Sequence, residues 1–510
     1  MSIILLVTIV AGFSAIVYFL FQRNANYWRR RGIPGPVSTD PIGHELSYFF
    51  NYEKPFSDAL VQWTKQYGKV YGIMEGWRQI LVISDPHMIH EIFVKQFWNF
   101  YSRKLNPMVD EDDRPRTNVF DAVGPRWKRL RTISAPSFSI SNLKRIFPIV
   151  DDSVKSMVSH LDKAFERDLP FDIYEYCQEL SMDVICRVSM GQKESKQFAN
   201  PILPTIKKIW MTFRTGKFEY FAHCFPLIAK VLFKIREIVS PQPASAMFLN
   251  LRRIIEERKK TRLENPSAGS DGPVDYIDLF LEAEDPNVKE GEFSTENGMK
   301  ISKKMTTDEI VSSCLVFLLA GFDTTANTLG ITFYLLAKHP EFQERLYEEI
   351  IDVCQTDEIR FDDLNQLKLC DAAMKEALRL YPIGEFAASR VCKATTTVCD
   401  IKIEKGVFIV PDVFSLHRNK EIWGENADEF YPDRFFDMTS EQKLAFMPFG
   451  SGPRICIGLR LSEMEEKTAL ARILKKYRIV PCSLTESEFG INGTTVLNPK
   501  KVVVKLEKRI

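Results

Sequence analysis

A run of chargeless residues from Ser2 to Phe21 (SIILLVTIVAGFSAIVYFLF) constrains this chain before anything else does. Roughly 20 apolar residues in succession are long enough, as a helix, to cross the hydrocarbon core of a bilayer, and such a run is costly to leave in water. Arg23 and then Arg29, Arg30 and Arg31 follow it, while no charged side chain precedes it. By the positive-inside rule this asymmetry puts the amino terminus in the lumen and the rest of the chain in the cytosol. A cleaved signal peptide would carry its basic residues ahead of the apolar run and a small-residue cleavage site behind it, and neither is evident. The expectation is a transmembrane signal-anchor helix over residues 2–21.

With 510 residues and 45% hydrophobic content, the remainder can bury a large core. Its 68 basic and 67 acidic residues leave a formal charge of +1, so no overall field favours nucleic acid or acidic substrates. The ten cysteines are scattered without CxxC pairs, which reads as reduced thiols on a cytosolic face rather than a disulfide framework.

After the anchor, GIPGPVSTDPIG places Pro34, Pro36 and Pro41 in a semi-rigid spacer, so residues 22–47 are expected as a basic and proline-rich linker. Residues 48–510 are expected as one domain. Most of its first half shows apolar positions at helical period, as in DSVKSMVSHLDKAF. Strand patterns intrude at KVYGIMEGWRQILVI, at TTVCDIKIEKGVFIV and at VVVKLEK near the carboxyl end. The fold class is therefore mainly α with small β-sheets, preceded by one transmembrane helix. Residues 265–304, rich in Gly, Ser, Pro and acids, read as a mobile loop between two long helices. Trp210 to Ile238 is apolar but broken by Lys and His, which fits either a face dipping into the bilayer interface or a buried helix pair.

The most specific segment is Phe446 to Glu465, FMPFGSGPRICIGLRLSEME. Gly450, Gly452 and Pro453 precede Cys456, and Gly458 precedes a helical pattern, so a tight loop enters a helix there. Glycines permit positive φ and close approach by a planar ligand, while backbone amides and a helix amino terminus stabilise a thiolate. Taken alone, such a cysteine could equally be buried and inert. Spacing decides: Phe449, Gly452, Arg454, Cys456 and Gly458 reproduce FxxGxRxCxG, and on this pattern the chain resembles the cytochrome P450 family. The resemblance is to the microsomal animal type, in the clan of the vertebrate drug-oxidising enzymes and thromboxane synthase. It implies a cytochrome P450 fold and a haem b cofactor (iron protoporphyrin IX). Cys456 would be the axial ligand, its electron-rich thiolate helping to cleave the O–O bond, with Phe449 against the sulfur side of the haem.

LVFLLAGFDTTANTLG is an apolar helical stretch carrying Gly321, Asp323, Thr324 and Thr325. Glycine inside a helix costs about 1 kcal/mol against Ala, and here its missing side chain is expected to leave room for dioxygen. Threonine back-bonding to a helix carbonyl can widen such a groove. By resemblance, Asp323 and Thr324 match the acid and alcohol that relay protons in the long helix over the haem. Glu376 and Arg379 in KEALRLYP are three apart and can pair on one helix face; the resemblance makes them part of a buried ion network completed by Arg434. Trp127 and Arg131 in PRWKRLR share a helix face, and by resemblance they join Arg390 and Arg454 at the haem propionates. Lys128 and Arg129 are expected on the outer face, as cations for docking an acidic electron donor.

The resemblance implies a monooxygenase that inserts one atom of O2 into a lipophilic organic substrate and reduces the other to water. Electrons would come from NADPH through a membrane-bound flavoprotein reductase, with cytochrome b5 as a second donor, at the cytosolic face of the endoplasmic reticulum membrane. No GxGxxG unit occurs in the chain, in keeping with a separate reductase. A P450-type peroxide isomerase or dehydratase and a non-catalytic haem-binding protein are the alternatives, and neither needs the acid–alcohol pair. Candidate pocket residues are Phe317, Ala320, Phe386 to Ala388 and Thr495 to Leu497, a mainly apolar set suited to a hydrophobic guest.

Overall fold

The longest helix in the domain organises the rest. In the computed structural model, residues 2–36, 55–104, 115–214, 218, 221–222, 226–239, 243–264, 275–284, 304–384, 386–493 and 496–509 are described. The expected loop at 265–304, the second half of the expected linker and Thr495 fall largely or wholly outside them. The longer helices are α1 (Ser2–Ala25), α2 (Phe56–Tyr67), α3 (Gly124–Ser134), α4 (Ile140–Glu166), α5 (Ile173–Met190), α6 (Leu203–Arg214), α7 (Ala229–Val239), α8 (Pro243–Glu264), α9 (Thr307–Lys338), α10 (Pro340–Val353), α11 (Lys368–Leu380) and α12 (Leu459–Lys476).

Helix α9 is 32 residues long, starts at a reciprocal capping box between Thr306 and Glu309, and is buried along most of its length. Its Gly321 does not break it. The absent side chain serves packing: a Cβ at Gly321 would stand 2.7 Å from Cδ1 of Ile185 on α5. The space expected for dioxygen beside this glycine is taken by Ile185, so the bare position lets two core helices approach closely. Helices α4, α5, α11 and α12 share the large apolar core with α9.

The strands are β1 (Val70–Glu75), β2 (Arg78–Ile83), β3 (Phe171–Asp172), β4 (Arg390–Val391), β5 (Thr396–Val398), β6 (Ile401–Ile403), β7 (Phe408–Pro411), β8 (Tyr477–Val480), β9 (Ile491–Gly493), β10 (Leu497–Pro499) and β11 (Val503–Lys508). They make a four-stranded sheet ordered β1-β2-β7-β4, a three-stranded sheet ordered β3-β11-β8 and two hairpins. The three sequence segments expected as strands all lie in these sheets. The β1–β2 pair is antiparallel, whereas β2 and β7 pair in parallel from more than three hundred residues apart.

Helix α1 presents Leu5 and residues 7–20 to its surroundings, with Phe13 at 69% and Phe19 at 65% exposure, and it is long and apolar enough to cross a membrane. The residues that follow are seated on the four-stranded sheet. Trp28 is buried and its Nε1 donates to the Ile73 carbonyl at 3.0 Å, while the Gly72 amide donates to the Pro34 carbonyl at 2.8 Å. Tyr27 Oη donates to Glu404 at 2.9 Å, and Arg31 pairs with the same carboxylate at 2.7 Å. The first half of the expected spacer is thus fastened down, because two aromatic side chains there have a sheet to bury against.

Asn327 ties α9 to the carboxyl-terminal hairpin. Its Oδ1 accepts from Tyr174 Oη at 2.5 Å, and its Nδ2 donates to the Leu497 carbonyl at 3.0 Å and to Asn498 at 2.8 Å. Asn327→Leu takes an acceptor from the buried Tyr174 hydroxyl and a donor from the buried Leu497 carbonyl, and thermal or chemical unfolding of this variant should show a loss of about 1–3 kcal/mol.

Candidate active site

Three elements converge on Cys456. Its loop leaves a short turn at Gly452–Arg454 and enters α12 at Leu459. Gly450 and Gly452 have φ of 77° and 70°, a left-handed backbone in which side chains are strained. A Cβ at Gly452 would also lie 2.1 Å from the Phe93 carbonyl oxygen, so this glycine is required twice over. The Cys456 amide donates to the Phe449 carbonyl at 2.9 Å, closing the loop. Cys456 is surface-accessible although protein encloses it, which describes a sulfur facing an interior hollow. Burial raises its thiol pKa; the amides of Gly458 and Leu459 and the guanidinium groups of Arg131 and Arg103 act in the opposite direction.

Around this loop lies an accumulation of positive charge. Arg454 is buried over the Trp127 ring at 4.7 Å and donates to the carbonyls of Phe120, at 3.2 Å, and Ala122. Arg390 is buried against Phe93, 4.2 Å from its ring centre, and donates to the carbonyls of Ala388, Ser389 and Ser451. Arg131 is half-buried and forms no ion pair among the described residues. Arg103, which the sequence reading did not single out, donates to the carbonyls of Ala387, Phe120 and Arg454 at 2.9 to 3.1 Å. Burial pulls its pKa down to about 10, against the opposing pull of Cys456 and Asp121. Burial also lowers Arg390 and Arg454, and Arg103 adds to it by repulsion. The Nε atoms of both are buried and have no hydrogen-bond partner among the described residues.

The third element is the middle of α9. Ala320 is exposed and Thr324 half-exposed in a helix otherwise largely buried, whereas Asp323 is 3% exposed. Thr324 Oγ1 donates back to the Ala320 carbonyl at 2.7 Å, and Ser181 Oγ donates to the Gly321 carbonyl at 2.8 Å. Phe138 links this helix to the cysteine loop: its ring is 5.4 Å from that of Phe317 and lies beside Gly458. Of the two pocket candidates on α9, only Ala320 is open. Phe317 is packed among Phe138, Tyr276 and Phe280.

Behind the loop, Glu376 and Arg379 on α11 are fully buried. Arg379 Nε and Nη2 donate to the two carboxylate oxygens at 2.7 and 2.8 Å, and Arg434 Nε donates to Glu376 Oε1 at 3.1 Å. Lys128 is exposed, as expected. Arg129 is not: it is 1% exposed and pairs with Glu309 of α9 at 2.5 Å, so it is no docking cation. Burial raises the Glu309 pKa, yet the Arg129 hydrogen bond and charge more than offset this and hold it below the usual carboxylate range.

The cytochrome P450 family model matches residues 41–506. The chain belongs to the cytochrome P450 family. A Caenorhabditis elegans protein provisionally named cytochrome P450 cyp-13B1 is 40% identical over 99% of this chain and 99% of its own length. Two others from the same nematode, provisionally named cytochrome P450 CYP13A3 and CYP13A5, are 40% and 39% identical over 100% of this chain and 99% of theirs.

The residues present suit a haem. An accessible thiol lies next to four guanidinium groups that form no ion pair among the described residues, and two buried guanidinium nitrogens lack acceptors. A flat ligand with a metal on one axis and two carboxylates on one edge answers both needs.

This P450 also buries two acids the sequence reading passed over, because SEMEEK on a helix reads as a solvated face. Glu465 and Glu466 of α12 are 3% and 1% exposed, and both oxygens of Glu466 lack a hydrogen-bond partner. Burial pushes the Glu465 pKa up to about 8, with a hydrogen bond from Ser181 opposing it and Asp183 adding to it. A raised folded-state pKa means that stability present below the unfolded carboxyl value, about 4.3, is lost as pH climbs towards 8, by about 1.4 kcal/mol per unit. Glu465→Gln should therefore gain thermal stability over the parent at pH 8 and gain little at pH 5, as melting curves at the two pH values will show.

Proposed function

We propose that this P450 oxidises lipophilic substrates at the cytosolic face of the endoplasmic reticulum membrane, with electrons from NADPH delivered by a separate flavoprotein reductase and, as a second donor, cytochrome b5. One observation carries the reading: Cys456 is enclosed yet accessible, the Arg131 and Arg103 guanidinium groups act on its sulfur, and Phe138 joins its loop to the stretch of α9 where Ala320 and Thr324 are open.

A haem b held by Cys456 would supply the activation of dioxygen. The chain's own residues have four tasks. Arg131, Arg390 and Arg454, together with Arg103 and the Trp127 indole, would hold the two propionates and neutralise them. The backbone amides of Gly458 and Leu459 stabilise the Cys456 thiolate, and Phe449 would lie against the sulfur side of the haem. Thr324, whose hydroxyl already donates to the Ala320 carbonyl at 2.7 Å, presents its oxygen to the hollow, and the nearly buried Asp323 passes protons to that position. Ala320 leaves the substrate room beside them. The opened, non-polar surface around Ala320 favours an apolar guest, and delivery from a bilayer suits such a guest.

Membrane contact at a second place fits the exposed apolar side chains of α7 and the turn before it. Leu227 is 99% exposed, and Val231, Ile235, Ile238 and Val239 join it, interspersed with Lys234. An exposed patch of this size favours the interfacial reading of the Trp210 to Ile238 stretch over a buried helix pair.

The deciding measurement is the carbon monoxide difference spectrum of the reduced, membrane-expressed protein, followed by NADPH consumption with added reductase. A strongly red-shifted Soret band together with reductase-dependent turnover supports the monooxygenase; thiolate ligation with turnover of a peroxide alone supports an isomerase. Cys456→Ser should lose the red-shifted band. Thr324→Ala should retain it while product formed per NADPH falls about tenfold or more, with hydrogen peroxide appearing in its place.

A further inference from the structure

Where α1 meets the globule, Phe19, Gln22, Arg23, Asn26, Arg29 and Arg30 line an open basin. Its floor is fixed. Trp28 is buried and hydrogen-bonded to the Ile73 carbonyl, Gln79 Nε2 donates to Asn24 Oδ1 at 2.7 Å, and Tyr27 and Arg31 share Glu404. The Arg30 guanidinium lies across the helix end, donating to the carbonyls of Arg23 at 2.6 Å and Asn26 at 3.4 Å. Four arginines stand here, and the only carboxylate among the described residues that pairs with any of them is Glu404, which takes Arg31. Arg23, Arg29 and Arg30 thus present cationic forks of one sign to a shared basin, on a rigid base.

The position of the basin identifies the source of the anion. The apolar side chains of α1 stay exposed up to Leu20, whereas Phe21 is buried against the globule. Phe19, 65% exposed, therefore belongs both to the last lipid-facing turn and to the rim of the basin. An anion seated on the arginines with acyl chains attached can lay those chains along the exposed face of α1 without bending away. A free phosphate would leave the apolar rim in water.

We propose that this basin binds the headgroup of an anionic phospholipid, with the phosphodiester on Arg29 and Arg30, the second negative group on Arg23, and Asn26 and Gln22 as neutral hydrogen-bonding partners. The bound lipid would be a fixed companion of the anchor rather than one of many in a diffuse cloud. The proposal rests on reading α1 as a membrane span.

Full-length protein reconstituted in nanodiscs of equal parts phosphatidylcholine and phosphatidylserine, then released and weighed by native mass spectrometry, provides the test. The parent should retain phosphatidylserine in clear preference. Arg23→Gln and Arg29→Gln should each weaken that preference roughly fivefold, the amount a single interfacial cation contributes. Lys368→Gln removes the same charge from the exposed start of α11, which belongs neither to the basin nor to the apolar patch of α7, and should leave the preference unchanged. Equal losses in all three variants, or no preference in the parent, overturn the site. Displacement of the lipid by inorganic phosphate overturns the lipid as its source. Failure of the parent to enter the disc overturns the membrane span and the site with it, whereas insertion without lipid preference overturns the site alone.

Discussion

The carboxylate of Glu376 holds together the part of the molecule on which the cysteine loop stands. It receives Nε and Nη2 of Arg379, Nε of Arg434 and the amide of Tyr431, so a charge with no exposure to water is enclosed by donors. Arg379 Nη1 reaches the carbonyls of His417 and Ala427 and its Nη2 also that of Glu429, while Arg434 Nη1 and Nη2 reach those of Trp423 and Asn426. One ion cluster thereby fixes a stretch of irregular chain that would otherwise have few regular hydrogen bonds. Losing one partner leaves a buried charge uncompensated, which typically costs 3–5 kcal/mol and is a large part of any domain's net stability.

The consequence reaches the thiol through a single ring. His417 is fully buried, and burial together with the neighbouring Arg379 pushes its pKa down to about 3, so the imidazole is neutral and one nitrogen can accept. That nitrogen, Nε2, takes the Met447 amide at 3.0 Å. The Met447 carbonyl then takes the Gly450 amide at 3.0 Å, and the Phe449 carbonyl takes the Cys456 amide at 2.9 Å. From α11 to the cysteine, hydrogen bonds recur along one short path of chain, and a protonated His417 would break that path at its midpoint. Positioning of the thiol therefore depends on an ion cluster that does not touch it.

What the sequence disclosed follows the same division. The cysteine loop, the Glu376–Arg379 pair and the strand segments are legible because their chemistry is set by residues a few positions apart: glycines that must turn, a carboxylate one turn from its guanidinium, alternating apolar side chains. Arg103 has no such neighbourhood in NFYSRK; its place is defined by Phe120, Ala387 and Arg454, which arrive from distant parts of the chain. Arg129 was misread for the same reason. Its helix face suggested solvent, and its partner Glu309 lies 180 residues further on. Gly321 suggested room for a ligand, and Ile185 of a different helix occupies that room. A local pattern reports what a residue is able to do, and only tertiary packing determines which neighbour it does it with.

The four-stranded sheet brings the two ends of this design together. Its β1 strand carries the Ile73 carbonyl that takes the Trp28 indole, and Gly72 lacks a side chain where the Trp28 ring lies. Its β4 strand begins at Arg390, and β2 and β7 lie between them in one continuous hydrogen-bonded ladder. The end of α1 and one of the guanidinium groups beside the thiol are therefore mounted on the same short, stiff element. A hinge between α1 and the domain would need a flexible segment at residues 26–36, and that segment is pinned by hydrogen bonds to Ile73, Gly72 and Glu404. The orientation of the cysteine loop's surroundings relative to α1 is consequently a property of the sheet, fixed by strand pairing.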